Sequence, residues 1–169
     1  MLKLRFDDLA SCLWGIVAWA LFTTFAYADV PQSIDLRADA QSASDINGAV
    51  LVVFVGERCT FCERVLNEFL IPMSGNRNYR DRVVMRRIEI SGDQDLIDFD
   101  GKPISASQLA SRYGNRMVPT VMLLDGRGRL LTKPLVGLTT VDYYGHYLDE
   151  AIDTALAKVR KTSGPRSTP

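Results

Sequence analysis

Three cysteines, one histidine and no excess of either charge are the scarcities of this chain. Cysteines at 12, 59 and 62 are too few for a scaffold held by disulfides. Twenty Lys plus Arg against twenty Asp plus Glu leave a net charge of zero, and no basic stretch alternates with aromatics, so nucleic acid is excluded as an expected partner. There is no internal repeat, which removes solenoids and propellers. What is left is a chain with the composition of an ordinary globular domain, 169 residues long, 47% hydrophobic and 24% charged.

The amino terminus is set apart. Lys3 and Arg5 precede a run from Leu9 to Ala28 without a single charge, closing on Ala26-Tyr27-Ala28. A basic start, an apolar core and small residues at a cleavage point are the parts of a secretory signal peptide, assigned to residues 1–28. An uncleaved membrane anchor is the alternative, because the uncharged run is about the ~20 residues that span a bilayer. Leu9-Ala10-Ser11-Cys12 would make a lipid-modification box only if it followed the apolar core, and it precedes it. Either reading puts the domain in a compartment where disulfides persist. Removal takes Lys3, Arg5, Asp7 and Asp8 together, so the charge balance survives, and Cys12 goes with them.

Residues 29–44 are polar and rich in small side chains, and read as an irregular arm with a short helical turn ahead of a domain spanning 45–161. Ala49 to Val55 is continuous, largely β-branched and uncharged, as a strand buried on both faces requires. Gly56-Glu57-Arg58 turns the chain into a helix over 59–70, with Phe61, Val65, Leu66 and Phe69 on one side and Pro72 and Gly75 as its stop. A second strand follows over 81–90, with Arg86 and Arg87 marking partial exposure or a sheet edge. A loop covers 91–103, a short helix capped by Ser105 or Ser107 covers 105–113, and strands at 120–124 and 129–136 flank the turn Asp125-Gly-Arg-Gly128. A terminal helix is expected over 139–161, and the Ser, Gly and Pro tail 162–169 reads as disordered.

Strand, helix, strand, helix, strand, strand, helix, with Cys59-x-x-Cys62 directly after the first strand, resembles the thioredoxin fold. The segment Leu51-Val-Val-Phe-Val-Gly-Glu-Arg-Cys-Thr-Phe-Cys62 is similar to the active-site strand and helix start of thioredoxins, and Met117-Val-Pro-Thr-Val121 to their cis-proline loop. Among relatives the chain resembles secreted bacterial proteins of the SoxW and TlpA type. The resemblance implies an α/β thioredoxin fold, a central mixed β-sheet flanked by helices on both faces. It also implies a periplasmic location and a cis Val118–Pro119 bond. The substrate groove implied by the likeness is lined by Val118, Pro119, Thr120 and Phe61.

The chemistry can be stated from the residues themselves. A thiolate, not a thiol, attacks a disulfide, and a cysteine in the first turn of a helix faces unpaired N–H groups and the positive end of the helix dipole. Arg58 adds a positive charge beside Cys59. Cys59 is therefore expected to attack, and Cys62, one turn deeper, to resolve the mixed disulfide. The pair would serve as a redox-active disulfide with no cofactor. Zinc needs more ligands than two cysteines and the distant His146 supply, so no metal is expected. A structural disulfide closing so short a loop would remove little chain entropy.

Three departures from thioredoxin itself stand out. Arg58-Cys-Thr-Phe-Cys62 replaces Trp-Cys-Gly-Pro-Cys, which alters potential and partner choice. Val53 stands where thioredoxins keep a buried Asp, leaving Glu57 or Glu63 as substitutes for the base that deprotonates Cys62. Pro72 lies later than the helix-kinking proline of thioredoxin, so the active-site helix should run straighter. With no His between the cysteines, the expected activity is a thiol:disulfide oxidoreductase that reduces protein disulfides and is recharged by a membrane thiol-electron donor. An oxidase or isomerase, or a protein-binding module with an idle dithiol, are the alternatives. The expected partners are disulfide-bearing proteins, with no nucleic acid and no metal, and a monomer is expected.

Overall fold

The computed structural model describes residues 28–92 and 94–162. The signal peptide expected at 1–28 lies outside the described residues except for Ala28, as does the tail after Thr162. In chain order the elements are α1 (Leu36–Asp45), β1 (Ala49–Val55), α2 (Thr60–Arg64), a π-helical segment (Val65–Leu70), α3 (Ile71–Gly75), α4 (Arg77–Arg80), β2 (Val83–Glu89), β3 (Asp95–Ile97), β4 (Pro103–Ser105), α5 (Ala106–Arg112), β5 (Thr120–Leu124), β6 (Leu135–Val136) and α6 (Val141–Thr162).

Four strands form the main sheet in the order β2-β1-β5-β6. β1 pairs parallel with β2 and antiparallel with β5, and β5 pairs antiparallel with β6, so the sheet is mixed. All seven residues of β1 are buried, because both faces are covered. Leu51, Val53 and Val55 join Cys62, Val65, Tyr144, Leu148 and Ile152 on one face. Val50, Val52 and Phe54 join Leu36, Ala40, Leu109 and Ala110 on the other. Each large apolar side chain buried this way contributes about 1.5–3 kcal/mol, which is why an unbroken apolar run belongs in the middle of the sheet.

The residues expected as an irregular arm are instead ordered and part of the core. Asp35 caps α1 by accepting the Ala38 N–H at 2.9 Å, and Leu36, Ala40 and Ala43 are buried along one stripe. Asp39 shares that stripe, which disguises it in the sequence. The residue is 6% exposed, and its carboxylate accepts hydrogen bonds from Ser33 Oγ at 2.7 Å and Arg86 Nε at 2.6 Å. The charge of Arg86 is thus spent inside the fold, not at a bare edge. β2 does end the sheet order, but the preceding chain lines it: Arg87 N–H donates to Pro31 O, and Arg87 O accepts the Ser33 N–H, each at 2.9 Å.

Other expectations need correction. The helix after the dithiol passes through Pro72 and ends at Gly75, because the π segment lets Ile71 N–H reach Leu66 O and places Pro72 in the first turn of α3, where a missing N–H is tolerated. The straighter α-helix expected there is interrupted by that π segment. The loop at 91–103 contains β3, which pairs antiparallel with β4 in a separate small sheet. The returning strand expected over 129–136 shrinks to β6 and a single bridge, Leu124 to Leu130, since Pro134 offers no donor to a ladder. Thr162, expected in the tail, closes α6 with its hydroxyl on Lys158 O at 3.0 Å.

Candidate functional site

β1 runs to Val55 and delivers the chain to a turn at the end of the sheet. Glu57 N–H is fixed there by Ser91 Oγ at 2.8 Å. Arg58 holds a φ of 53°, in the left-handed region that non-glycine residues rarely adopt. That turn brings Cys59 in at the N-cap of α2, with extended φ and ψ of −93° and 95°. Its Sγ accepts the backbone N–H of Cys62 at 3.2 Å, so the sulfur occupies the place of a capping oxygen. A negative sulfur at this position is favoured by the same N–H groups and by the helix dipole.

Cys59 and Cys62 are joined by a disulfide, with their Cα atoms 5.1 Å apart. Cys59 is half-buried and Cys62 only 3% exposed. Phe61 between them is exposed. Arg58 and Glu57 form a 3.3 Å surface ion pair with both side chains largely in solvent, an arrangement worth little to stability. Glu63, on the first turn of α2, is also exposed.

The Val118–Pro119 bond is cis, in line with the resemblance. This loop sits against the dithiol turn: a Cβ built on Gly56 would lie 3.1 Å from Val118 Cγ2, so glycine allows the close approach. Gly137 N–H donates to Pro119 O at 2.7 Å and ties the loop to the chain that follows β6. Val118 makes no backbone hydrogen bond within the described residues. Thr120, expected to line the groove, is instead buried opposite Phe54, with its hydroxyl donated to Met117 O at 2.7 Å. It braces the loop from beneath and offers no surface to a substrate. Met117, not singled out from the sequence as a contact, is as exposed as Phe61.

Val53 is fully buried and shares a cluster with Cys62, so the side of the sheet beneath the dithiol carries no acid at that position. Instead a cavity of about 430 Å³ opens beside the pair, bounded by Gln32, Cys59, Cys62, Glu63, Arg87 and Glu89 among others. Gln32, Arg87 and Glu89 escape a reading of sequence because Arg87 and Glu89 come to the cavity only through the register of β1 with β2, and Gln32 only through its bridge to Arg87. The alternation of β2 was the available signal. Behind the helix, Tyr144 packs on Phe69 with ring centroids 5.0 Å apart, and burial pushes its hydroxyl up to about 12. Among the described residues there is no group of three or more His, Cys, Asp or Glu able to hold a metal ion. His146 lies exposed on α6, beside the Tyr147 ring.

The family model described as a thioredoxin-like domain matches residues 36–152. The chain belongs to the thioredoxin-like domain family. Its mixed four-stranded sheet with flanking helices is the thioredoxin fold, and the matched region takes in α1, which lies ahead of the domain start expected from the sequence. Among solved structures, this thioredoxin-like protein is similar to the short form of thioredoxin f from spinach chloroplast, with a TM-score of 0.50 and 16% identity over 78% of this chain and 98% of that one. It is also similar to a thioredoxin of Malassezia sympodialis, at 0.48 and 17% over 80% and 98% of the two chains. A mutant thioredoxin from Halobacterium salinarum matches at 0.47 and 21% over 76% and 96%. A search of curated proteins found no match. The Cys59–Cys62 disulfide in a domain of this family suggests redox activity.

Proposed function

We propose that this thioredoxin-like protein is a periplasmic thiol:disulfide oxidoreductase of the secreted SoxW and TlpA kind, reducing disulfides in protein substrates. The carrying observation is the disulfide at a helix N-terminus, one sulfur half-buried and capped by an N–H, the other enclosed. In the reduced protein the Cys59 thiolate attacks one sulfur of a substrate disulfide. That bond breaks, a substrate thiolate leaves, and Cys59 is joined to the substrate. Cys62, as thiolate, then attacks Cys59 Sγ, releasing the second substrate thiol and closing the intramolecular disulfide. Two electrons pass to the substrate, and a membrane thiol-electron donor returns them.

Substrate is held as an extended peptide along Val118 and Pro119, with Phe61 as an apolar contact. The unpaired backbone of Val118 among the described residues and the exposure of Phe61 support this placement. Arg58, one residue before the nucleophile, favours its anion. The charge-free run ending in Ala26-Tyr27-Ala28 supports export, and the protein acts as a monomer.

Trapping tests the reading. Cys62→Ser should accumulate mixed disulfides through Cys59, resolved by dithiothreitol, whereas Cys59→Ser should accumulate none. A Cys62→Ser variant that captures no partner in an extract of its native compartment contradicts the exchange. An equilibrium with glutathione near the oxidising extreme would overturn the reducing direction and leave an oxidase or isomerase.

A further inference from the structure

With Val53 in place of a buried acid, the proton of the resolving thiol needs another acceptor, and the sheet register identifies one. β1 and β2 are parallel neighbours with Val53 opposite Arg87 and Val55 opposite Glu89. Side chains directly paired across a ladder share a face. Val53 and Val55 face the dithiol side with Cys62, as do Val83 and Met85 earlier on β2. Alternation then carries Arg87 and Glu89 to that side, at the end of the strand nearest Cys59 and Cys62. Both residues are half-buried and both line the cavity that the two cysteines border.

We propose that Glu89 accepts the proton that Cys62 loses in the resolving step, with Arg87 as the neighbouring cation that favours the thiolate. The proposal rests on the exchange chemistry of the preceding section. A cavity of about 430 Å³ is many times the ~30 Å³ that one water occupies in the liquid, so a water can relay the proton across it. In the step, Cys62 S–H gives its proton through that water to the Glu89 carboxylate. The Cys62 thiolate forms a bond to Cys59 Sγ, the bond from Cys59 to the substrate sulfur breaks, and the departing thiolate takes up a proton as Glu89 returns it to solvent. No electrons beyond those of the dithiol are involved.

The other charged groups around the cavity are less suited. Glu57 is engaged with Arg58 and largely exposed, and Glu63, which also borders the cavity, is exposed on the helix, whereas Glu89 is half-buried. Glu89 is positioned: its Oε1 accepts the Ser91 N–H at 3.1 Å. No carboxylate comes within ion-pair distance of Arg87 among the described residues, so its charge is left to act on the cavity. Gln32, from the segment lying along β2, completes the wall without adding charge.

Stopped-flow reaction of the reduced chain with 5,5′-dithiobis(2-nitrobenzoate) separates the two steps, using the full chain with Cys12→Ser so that only the pair reacts. The first thionitrobenzoate is released when Cys59 is modified, the second when Cys62 displaces it. Glu89→Gln, which keeps an acceptor for Ser91, should leave the first release unchanged. It should slow the second at neutral pH by about tenfold or more and move its pH profile toward the alkaline side. Glu89→Asp should recover part of the rate, and Glu63→Gln and Glu57→Gln should behave as the parent. A second release in Glu89→Gln with the parent's rate and pH profile overturns the assignment, and so does equal slowing of both releases, the mark of a merely structural role. If the parent itself gives no second release, the resolving role of Cys62 and the exchange reading fall with it.

Discussion

The ion pair between Asp39 and Arg86 gives the sharpest test of how the amino-terminal helix is held. Asp39→Ala removes a carboxylate whose side chain is 9% exposed and two hydrogen bonds, from Ser33 Oγ and Arg86 Nε. Hydrogen bonds to a charged group are worth about 1.5–3 kcal/mol each, and deleting one partner of a buried pair costs about 3–5 kcal/mol. The Arg86 side chain is 25% exposed and also donates to Met85 O, so it can partly rehydrate once abandoned. The expected loss is therefore about 2–4 kcal/mol, a large part of the 5–15 kcal/mol that holds a typical domain. Urea unfolding reads it as a lower midpoint at unchanged slope. Replacing both residues, Asp39→Ala with Arg86→Met, should recover much of the loss, because the second change removes the stranded charge. A single-variant loss below about 0.5 kcal/mol, or two single losses that simply add, would refute the reasoning.

Three further outcomes follow from buried groups. The Tyr144 hydroxyl is buried without a partner among the described residues, so Tyr144→Phe should keep the packing on Phe69 and leave stability unchanged or about 1 kcal/mol higher by urea melt. Tyr113 and Tyr144 are both pushed up to about 12, chiefly by burial, from an ordinary value of 10. Raised folded-state values mean the protection is complete below about pH 10 and is lost as pH climbs toward about 12, by up to about 2–3 kcal/mol for Tyr144, and Tyr144→Phe should flatten that fall in alkaline melts. Gly48→Ala would set a Cβ 2.4 Å from the backbone oxygen of Arg82, so it should destabilise by about 1–3 kcal/mol, measured as a drop in melting temperature.

What could be read from the chain divides by the range of the signals. The dithiol is legible because Cys59, Cys62 and the strand before them are contiguous, and one apolar run marks a central strand without reference to any partner. Pro119 is legible only through resemblance to a family, since nothing local to a proline fixes its isomer. α1 is hidden by its own contents: Asp39 on the inward stripe reads as solvent-facing until Arg86, 47 residues away, is seen to neutralise it. Thr120 follows the proline in sequence but opens β5, a strand covered on both faces, opposite Phe54. Arg87 is partly exposed on the edge strand, as its charge suggests, but only the register of β2 shows that it and Glu89 line the cavity Cys62 borders. The pairing of Asp39 with Arg86 and the register of β2 are long-range, and no local pattern carries them.

The central claim is that Cys59 and Cys62 exchange electrons with protein disulfides and do not merely sit closed. Catalysed reduction of insulin by dithiothreitol, followed as precipitation of the freed B chain, tests it most directly. The wild type should shorten the lag and raise the rate well above the uncatalysed reaction, and Cys59→Ser should fall back to that background. A wild type as inactive as Cys59→Ser would contradict the account and leave the domain as a binding module.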